Sequence, residues 1–320
     1  MKSIISMISL LFFAAGPAAA QSAWAPSKAP TNADLVAVYF TSSKTGWVAG
    51  DGGYLAATGD GGRTWVRQAI STTENINEIY FRNDDNGYLV AGTKLFITRD
   101  GGRSWVETRI HDPREFGGAT PEFLSIRFAD KKRGLAIGSL LNAKGDVVDS
   151  LVMRTVDGGE TWKRVRVPSR LELFHLDFNG SDRAWIVGDQ GLILATADSG
   201  ATWRVQPSGT TAALFNVDFR DDEEGYAVGE TGTILRTDNG GSRWEKVKTA
   251  WRDTLMRVDF ADDKNGWAVG HRGTILRSSD RGRSWVRQES RTTANLYGLF
   301  LTKKFGFAVG ADGTLVNYLK

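Results

Sequence analysis

The chain has 320 residues, 24% of them charged, with a formal net charge of +3, three histidines and no cysteine. Lacking cysteine, it can form neither disulfides nor a lipid anchor on a processed N-terminal Cys, and three His give little basis for a His/Cys metal centre. So small a net charge excludes the broad positive field of a nucleic-acid-binding domain, while 37 glycines call for many turns.

In chain order, Lys2, the apolar run IISMISLLFFAA (4–15) and AAA (18–20) come first. They predict a secretory signal over residues 1–20, cut between Ala20 and Gln21. The run is short for a bilayer span. The expectation is an exported protein, in a periplasm or the equivalent of a thylakoid lumen, with residues 21–320 forming one domain.

Next comes Trp24, and then a recurring phrase, Ser/Thr-x-Asp-x-Gly-x-Ser/Thr-Trp. It reads TGDGGRTW (58–65), TRDGGRSW (98–105), TVDGGETW (155–162), TADSGATW (196–203) and SSDRGRSW (278–285). TDNGGSRW (237–244) is a degenerate copy, with Asn239 and Arg243 replacing the acid and the second hydroxyl. Trp65, Trp105, Trp162, Trp203, Trp244 and Trp285 are spaced by 40, 57, 41, 41 and 41 residues, and Trp24 precedes Trp65 by another 41. A period of ~40–50 residues marks solenoids, propellers or arrays.

Each unit reads as four short strands, A to D, bounded by Gly, Asp and Asn. In the sixth, A is LMRVDF (255–260), B is GWAVG (266–270), C is TILRS (274–278) and D is WVRQ (285–288). Strand A recurs as VYF (38–40), IYF (79–81), IRF (126–128), LDF (176–178), VDF (217–219) and GLF (298–300). There are seven A, B and C strands but six phrases, and the seventh unit stops after GTLVNYLK (313–320). Trp24 fits the missing D strand, whose pairing with the last blade would remove the open seam. The predicted fold is all-β: a seven-bladed β-propeller with four-stranded blades, closed by its N-terminal strand. A linear β-solenoid, the alternative, needs no displaced strand.

The phrase has a structural explanation. In a C–D turn, Asp60, Asp100, Asp157, Asp198 and Asp280, with Asn239 in the degenerate copy, can accept backbone N–H bonds from residues ahead. The glycine can adopt positive φ, and the Trp can bury its indole with its N–H near a polar partner. One active site needs one catalytic Asp, so six equivalent copies are expected to brace turns.

The phrase is the Asp-box, or bacterial neuraminidase repeat. The fuller pattern, with VDF (258–260), GWAVG (266–270) and GTIL (273–276), and again VDF (217–219), GYAVG (225–229) and GTILRT (232–237), resembles the photosystem II stability/assembly factor family. Over residues 22–320 that resemblance implies an exported, non-enzymatic seven-bladed scaffold without cofactor. It would bind a newly made subunit of a membrane complex, and a monomer is expected.

The competing reading is a glycan-binding or glycoside-hydrolysing propeller. A sialidase needs an arginine triad and commonly an early Arg-Ile-Pro element. That element is absent; the nearest Pro-flanked arginines are Arg114 and Arg170. Asp177, Asp218 and Asp259 do occupy equivalent strand-A places, with His175 and Arg257 two residues upstream in their units. Paired carboxylates can hydrolyse glycosides. Here they are expected to be polar residues duplicated at blade interfaces and satisfied by neighbours.

Two surfaces are candidates for a protein partner. A–B and C–D turns share one face, where Lys44, Arg63, Arg99, Arg103, Arg281, Arg283, Lys303 and Lys304 form a basic crescent opposite Asp182, Asp198 and DDEE (221–224). Such a field can steer an acidic partner or an anionic lipid surface. The other face gains two insertions beside blade three, residues 109–121 and 139–150, carrying Arg109, His111, Arg114 and Lys144. Long loops on a rigid scaffold are common binding elements.

Overall fold

The computed structural model describes residues 24–27 and 30–319; the predicted leader and its cleavage point lie outside the described residues. Seven antiparallel sheets of four strands each follow the repeat. In blade six the strands are Leu255–Phe260, Gly266–Gly270, Thr274–Ser278 and Val286–Gln288, within one residue of expectation. Residues of all seven A strands line one central cavity, so strand A is innermost.

Closure runs through the first strand. Trp24–Pro26 pairs antiparallel with Leu315–Leu319 of blade seven, with Trp24 opposite Tyr318 and Pro26 opposite Val316. Trp24 is fully buried. It packs on Tyr318 in its own sheet and with Trp267, Val269 and Ile275 of blade six, so one residue joins two blades.

Between blades the aromatic pattern repeats. A strand-B ring stacks on the strand-A Phe of the next blade: Trp47 on Phe81 at 4.2 Å, Tyr88 on Phe128 at 4.0 Å, Trp185 on Phe219 at 3.5 Å and Tyr226 on Phe260 at 4.1 Å between centroids. The Trp of the phrase then meets that Phe edge-on, as in Phe128–Trp162 at 84° and Phe219–Trp244 at 88°. Such pairs contribute about 0.5–1.5 kcal/mol beyond burial. The spacing of the tryptophans is therefore the spacing of blade interfaces.

Two expectations are corrected. In blade seven, Leu301 rather than Phe300 lies opposite Gly306, where blade six has Phe260 opposite Gly266. A one-residue register change swaps faces, so Leu301 takes the interface place and Phe300 joins the channel wall. The second insertion is mainly a lengthened hairpin: Gly134–Leu141 pairs with Val147–Thr155, and only residues 142–146 form its turn. The first holds a 3-10 turn, Pro113–Phe116, and the start of a long strand A, Thr120–Phe128. Ile110 and Phe116 anchor it against Phe123 and Leu140.

One feature common to all seven A strands has no signature in the alternation. Pairing with strand B slips by one residue near the start of each, for example between Leu35 and Ala37 and between Leu255 and Arg257.

Candidate partner-binding site

The repeated turn builds the first of the two faces. Thr58 Oγ1 accepts the Gly62 N–H at 2.9 Å and donates to Asp60 Oδ1 at 2.9 Å. Asp60 accepts the Thr64 N–H at 2.9 Å and its hydroxyl at 2.7 Å. Gly62 sits at φ 82°, and a Cβ there would lie 2.6 Å from the Phe307 ring. The same bonds recur at Asp100, Asp157, Asp198 and Asp280. Asn239 keeps two of them, from Thr237 Oγ1 at 3.0 Å and the Arg243 N–H at 2.9 Å.

The hydroxyl and N–H of Thr64 and Ser104 hold the Asp60 and Asp100 carboxyls down at about 2. These groups brace turns, as expected. Indole N–H groups of Trp162, Trp203 and Trp285 reach the Gly159, Gly200 and Gly282 carbonyls at 3.1 Å each, and Trp244 reaches Gln206 Oε1 at 3.2 Å. Trp65 and Trp105 find no such partner among the described residues.

Because the turn glycines point inward, the residues beside them face water. Arg63, Arg99, Arg103, Arg283, Lys44, Lys303 and Lys304 are exposed, and none forms an ion pair with a described residue. Arg281 differs. It is half-buried, its guanidinium lies 3.6 Å from Glu224, and its carbonyl accepts from Tyr226 Oη at 3.0 Å and Arg236 Nε at 3.2 Å.

Half of the acidic residues opposite are neutralised internally. Glu224 is buried among Arg220, Arg236 and Arg281, Asp221 pairs with Arg220, and Asp182 pairs with Arg133 at 2.8 Å. Opposed crescents in the sequence thus become a cationic half facing an acidic one that is compensated in part, with Asp222 and Glu223 exposed.

Along the axis, one position per A strand forms a ring: Tyr39, Tyr80, Arg127, Asp177, Asp218, Asp259 and Phe300, around a cavity of about 320 Å³. Asp177 Oδ2 accepts the Phe219 N–H of the next blade at 2.8 Å, and Asp259 Oδ2 accepts the Leu301 N–H at 2.9 Å. One layer away, Asn216 caps the Val258 N–H at 2.9 Å and Glu78 caps the Ile126 N–H at 2.8 Å. Glu78 also binds Arg127 at 2.8 Å and meets His175 Nε2 at 3.3 Å.

Burial pushes the Asp177 and Asp259 carboxyls up to about 6 and the His175 imidazole down to about 4. Asp218, flanked by both acids, is also raised well above the usual carboxylate range by burial and by their charges. Interface caps account for Asp177 and Asp259; Asp218, expected to be satisfied in the same way, makes no such cap among the described residues, because its neighbours across the ring are the two acids.

A family model described as photosynthesis system II assembly factor YCF48 matches overlapping stretches of the chain, residues 16–111, 66–172, 118–209, 203–287 and 249–319. The chain belongs to the YCF48 family. Among solved structures, one of YCF48 bound to a D1 peptide superposes with a TM-score of 0.74 at 21% identity, covering 93% of this chain and 97% of that one. YCF48 from Cyanidioschyzon merolae gives 0.72 at 21% identity, covering 93% and 99%. Virginiamycin B lyase from Staphylococcus aureus gives 0.74 at 10% identity, covering 93% and 98%. An assembly factor and a lyase fit equally well, so these superpositions establish the fold alone. No curated protein sequence is similar enough to count as a relative.

On the opposite face of this YCF48-family propeller, the predicted residues separate. Arg109 and Lys144 are exposed. Arg114 is held by Asp112 at 2.6 Å, and His111 turns inward against Phe116 and Phe123. Sequence reasoning overlooked Glu78 and Arg127. Their signal was position: they occupy the strand-A places of His175 and Asp177.

Proposed function

We propose that this YCF48-family protein is a non-enzymatic, exported scaffold that binds a protein segment of a membrane complex while the complex is assembled. The observation that carries this reading is the crescent of four arginines and three lysines, exposed and without ion-pair partners among the described residues. Exposed positive charge on a rigid face raises the encounter rate with an acidic segment. The family's description and the neighbour bound to a D1 peptide support a photosystem subunit as the class of client. The leader predicted over residues 1–20 supports a periplasmic or lumen-equivalent location. Against an enzyme stand the channel carboxylates, two of which are engaged in capping backbone N–H groups of the next blade.

The test is affinity capture from detergent-solubilised membranes with protein beginning at residue 21, read by mass spectrometry. Membrane-complex subunits should be enriched, and the enrichment should fall when Arg63, Arg103 and Arg283 are together changed to Glu. Turnover of a fluorogenic sialoside or xyloglucan oligosaccharide that is lost in Asp177→Asn would overturn the reading in favour of a glycosidase.

A further inference from the structure

The face where D–A and B–C turns meet carries a different surface. The pairing slip leaves one residue per strand A outside the ladder, and a bulge re-aims the side chain it displaces. These residues ring the mouth of the axial channel. Six are apolar or aromatic, Val36, Leu124, Phe174, Phe215, Met256 and Tyr297, and the seventh is Asn77. They enclose a cavity of about 290 Å³, all are partly exposed, and the Phe174 and Phe215 rings lie 5.0 Å apart.

Acidic groups outnumber basic ones around this mouth. Asp34, Asp51, Glu122, Glu172, Asp189 and Glu230 stand at the starts of A strands or in B–C turns, and none forms an ion pair with a described residue. Asp34 and Asp51 line the cavity itself. Burial, then the neighbouring Asp34, raises the Asp51 carboxyl, and burial, then Glu122 and Asp189, raises that of Glu172. Of the nearby cations, Arg272 pairs with Asp253; Arg257 stands on the cavity wall, attracted by Glu78 deeper in the channel but in no ion pair with a described residue.

We infer that this mouth is a docking site for a basic peptide segment bearing one large apolar side chain. The side chain enters between Phe174, Phe215 and Met256, and flanking Lys or Arg residues meet the carboxylate collar. A cavity of this size admits a side chain rather than a folded element. The site faces away from the cationic crescent and selects the opposite charge. It does not rest on the crescent's role, and it would let the propeller hold two different segments at once.

Methionine supplies the reporter. Of four methionines, Met1 and Met7 fall in the predicted leader, leaving Met153 and Met256. Met153 is fully buried, while Met256 lines the mouth. In methyl-labelled protein starting at residue 21, the probe peptide acetyl-KKGFGKK-amide should move the Met256 methyl resonance and leave that of Met153 in place. Affinity should fall by about tenfold or more for acetyl-EEGFGEE-amide, for acetyl-KKGSGKK-amide, and for the paired substitution Asp51→Asn with Glu172→Gln. Phe215→Ala should weaken binding similarly, an unmoved Met153 resonance reporting an intact fold. The Arg63, Arg103 and Arg283 reversal should leave this binding unchanged, so failure here and failure of the crescent are separable. An unmoved Met256 resonance, an equal response to the acidic peptide or to phosphatidylglycerol vesicles, or full affinity in Phe215→Ala would overturn the proposal.

Discussion

The rings of Phe40 in blade one and Phe307 in blade seven stack 4.8 Å apart, with planes 9° from parallel. Trp65 meets both edge-on, at 79° and 87°. This is the strand-B to strand-A stacking found at four other blade contacts, here made by the two ends of the chain. The outer edge of blade seven is closed separately, by Trp24–Pro26 on Leu315–Leu319.

Ring closure therefore depends on a strand remote in sequence from its sheet. Trp24→Ala should cost roughly 3–5 kcal/mol, the usual loss for a buried tryptophan. Removing residues 24–27 should also leave the Leu315–Leu319 edge open to pairing with other chains. A lowered melting temperature and a shift to higher mass in gel filtration are expected. An unchanged melting temperature for both variants would contradict closure by this strand.

The turn brace has a pH signature. Thr155 is buried, and its hydroxyl accepts the Gly159 N–H at 3.0 Å and donates to Asp157 at 2.8 Å. Thr155→Val should cost roughly 1–3 kcal/mol by stranding those partners. The hydroxyl and N–H of Thr161 hold Asp157 down at about 2, below the ordinary 3.8. A depressed carboxyl contributes stability above pH 3.8 that is lost as pH falls through about 2. Asp157→Ala should thus be destabilised at neutral pH, with the difference from the native protein closing towards pH 2 in urea melts. Asn239→Asp should be tolerated. Folded Asp157→Ala protein should still bind its partner; a stable variant that cannot would make the turn a recognition element.

Asp218 predicts the reverse slope. Its carboxyl is raised well above 3.8 by burial and by the charges of Asp259 and Asp177, so the folded state keeps a proton that the unfolded chain releases. Stability is then lost as pH climbs from 3.8 towards the raised value. Asp218→Asn removes that loss. It should melt higher than the native protein at neutral pH, and the gain should shrink to nothing near pH 4. An equal gain at both pH values would place the effect in packing rather than in ionisation.

Blade number, strand order and the closing Trp24 were legible because each rests on a period that survives divergence: Phe in strand A, Gly in strand B, Trp after the turn. Phe300 was misplaced because blade seven reaches Gly306 one residue sooner after its interface residue, and the turn residues alone do not reveal that. The A-strand bulges were invisible for a related reason. An added residue leaves alternation intact on either side, and only pairing with strand B exposes it. Arg281 and Glu224 looked like surface charge, as Asp221, Asp222 and Glu223 are, since the sequence does not say that Arg220 and Arg236 converge on Glu224. The hairpin of blade three read as a loop because its turn sits among polar residues, yet Leu140 and Leu141 pair with Asp149 and Val147.

Recruitment of the client by the crescent is read out by association kinetics of the captured membrane subunit's soluble segment across a salt series. The protein carrying Arg63→Glu, Arg103→Glu and Arg283→Glu is compared with one whose blade-three turn, residues 142–146, is shortened. The shortened variant keeps Asp149 and its pair with Arg164. We expect the charge reversal to slow association by about tenfold or more and to flatten its salt dependence, with the shortened hairpin unchanged. Association that is insensitive to the reversal but lost on shortening the hairpin would contradict such recruitment and move the client to the opposite face.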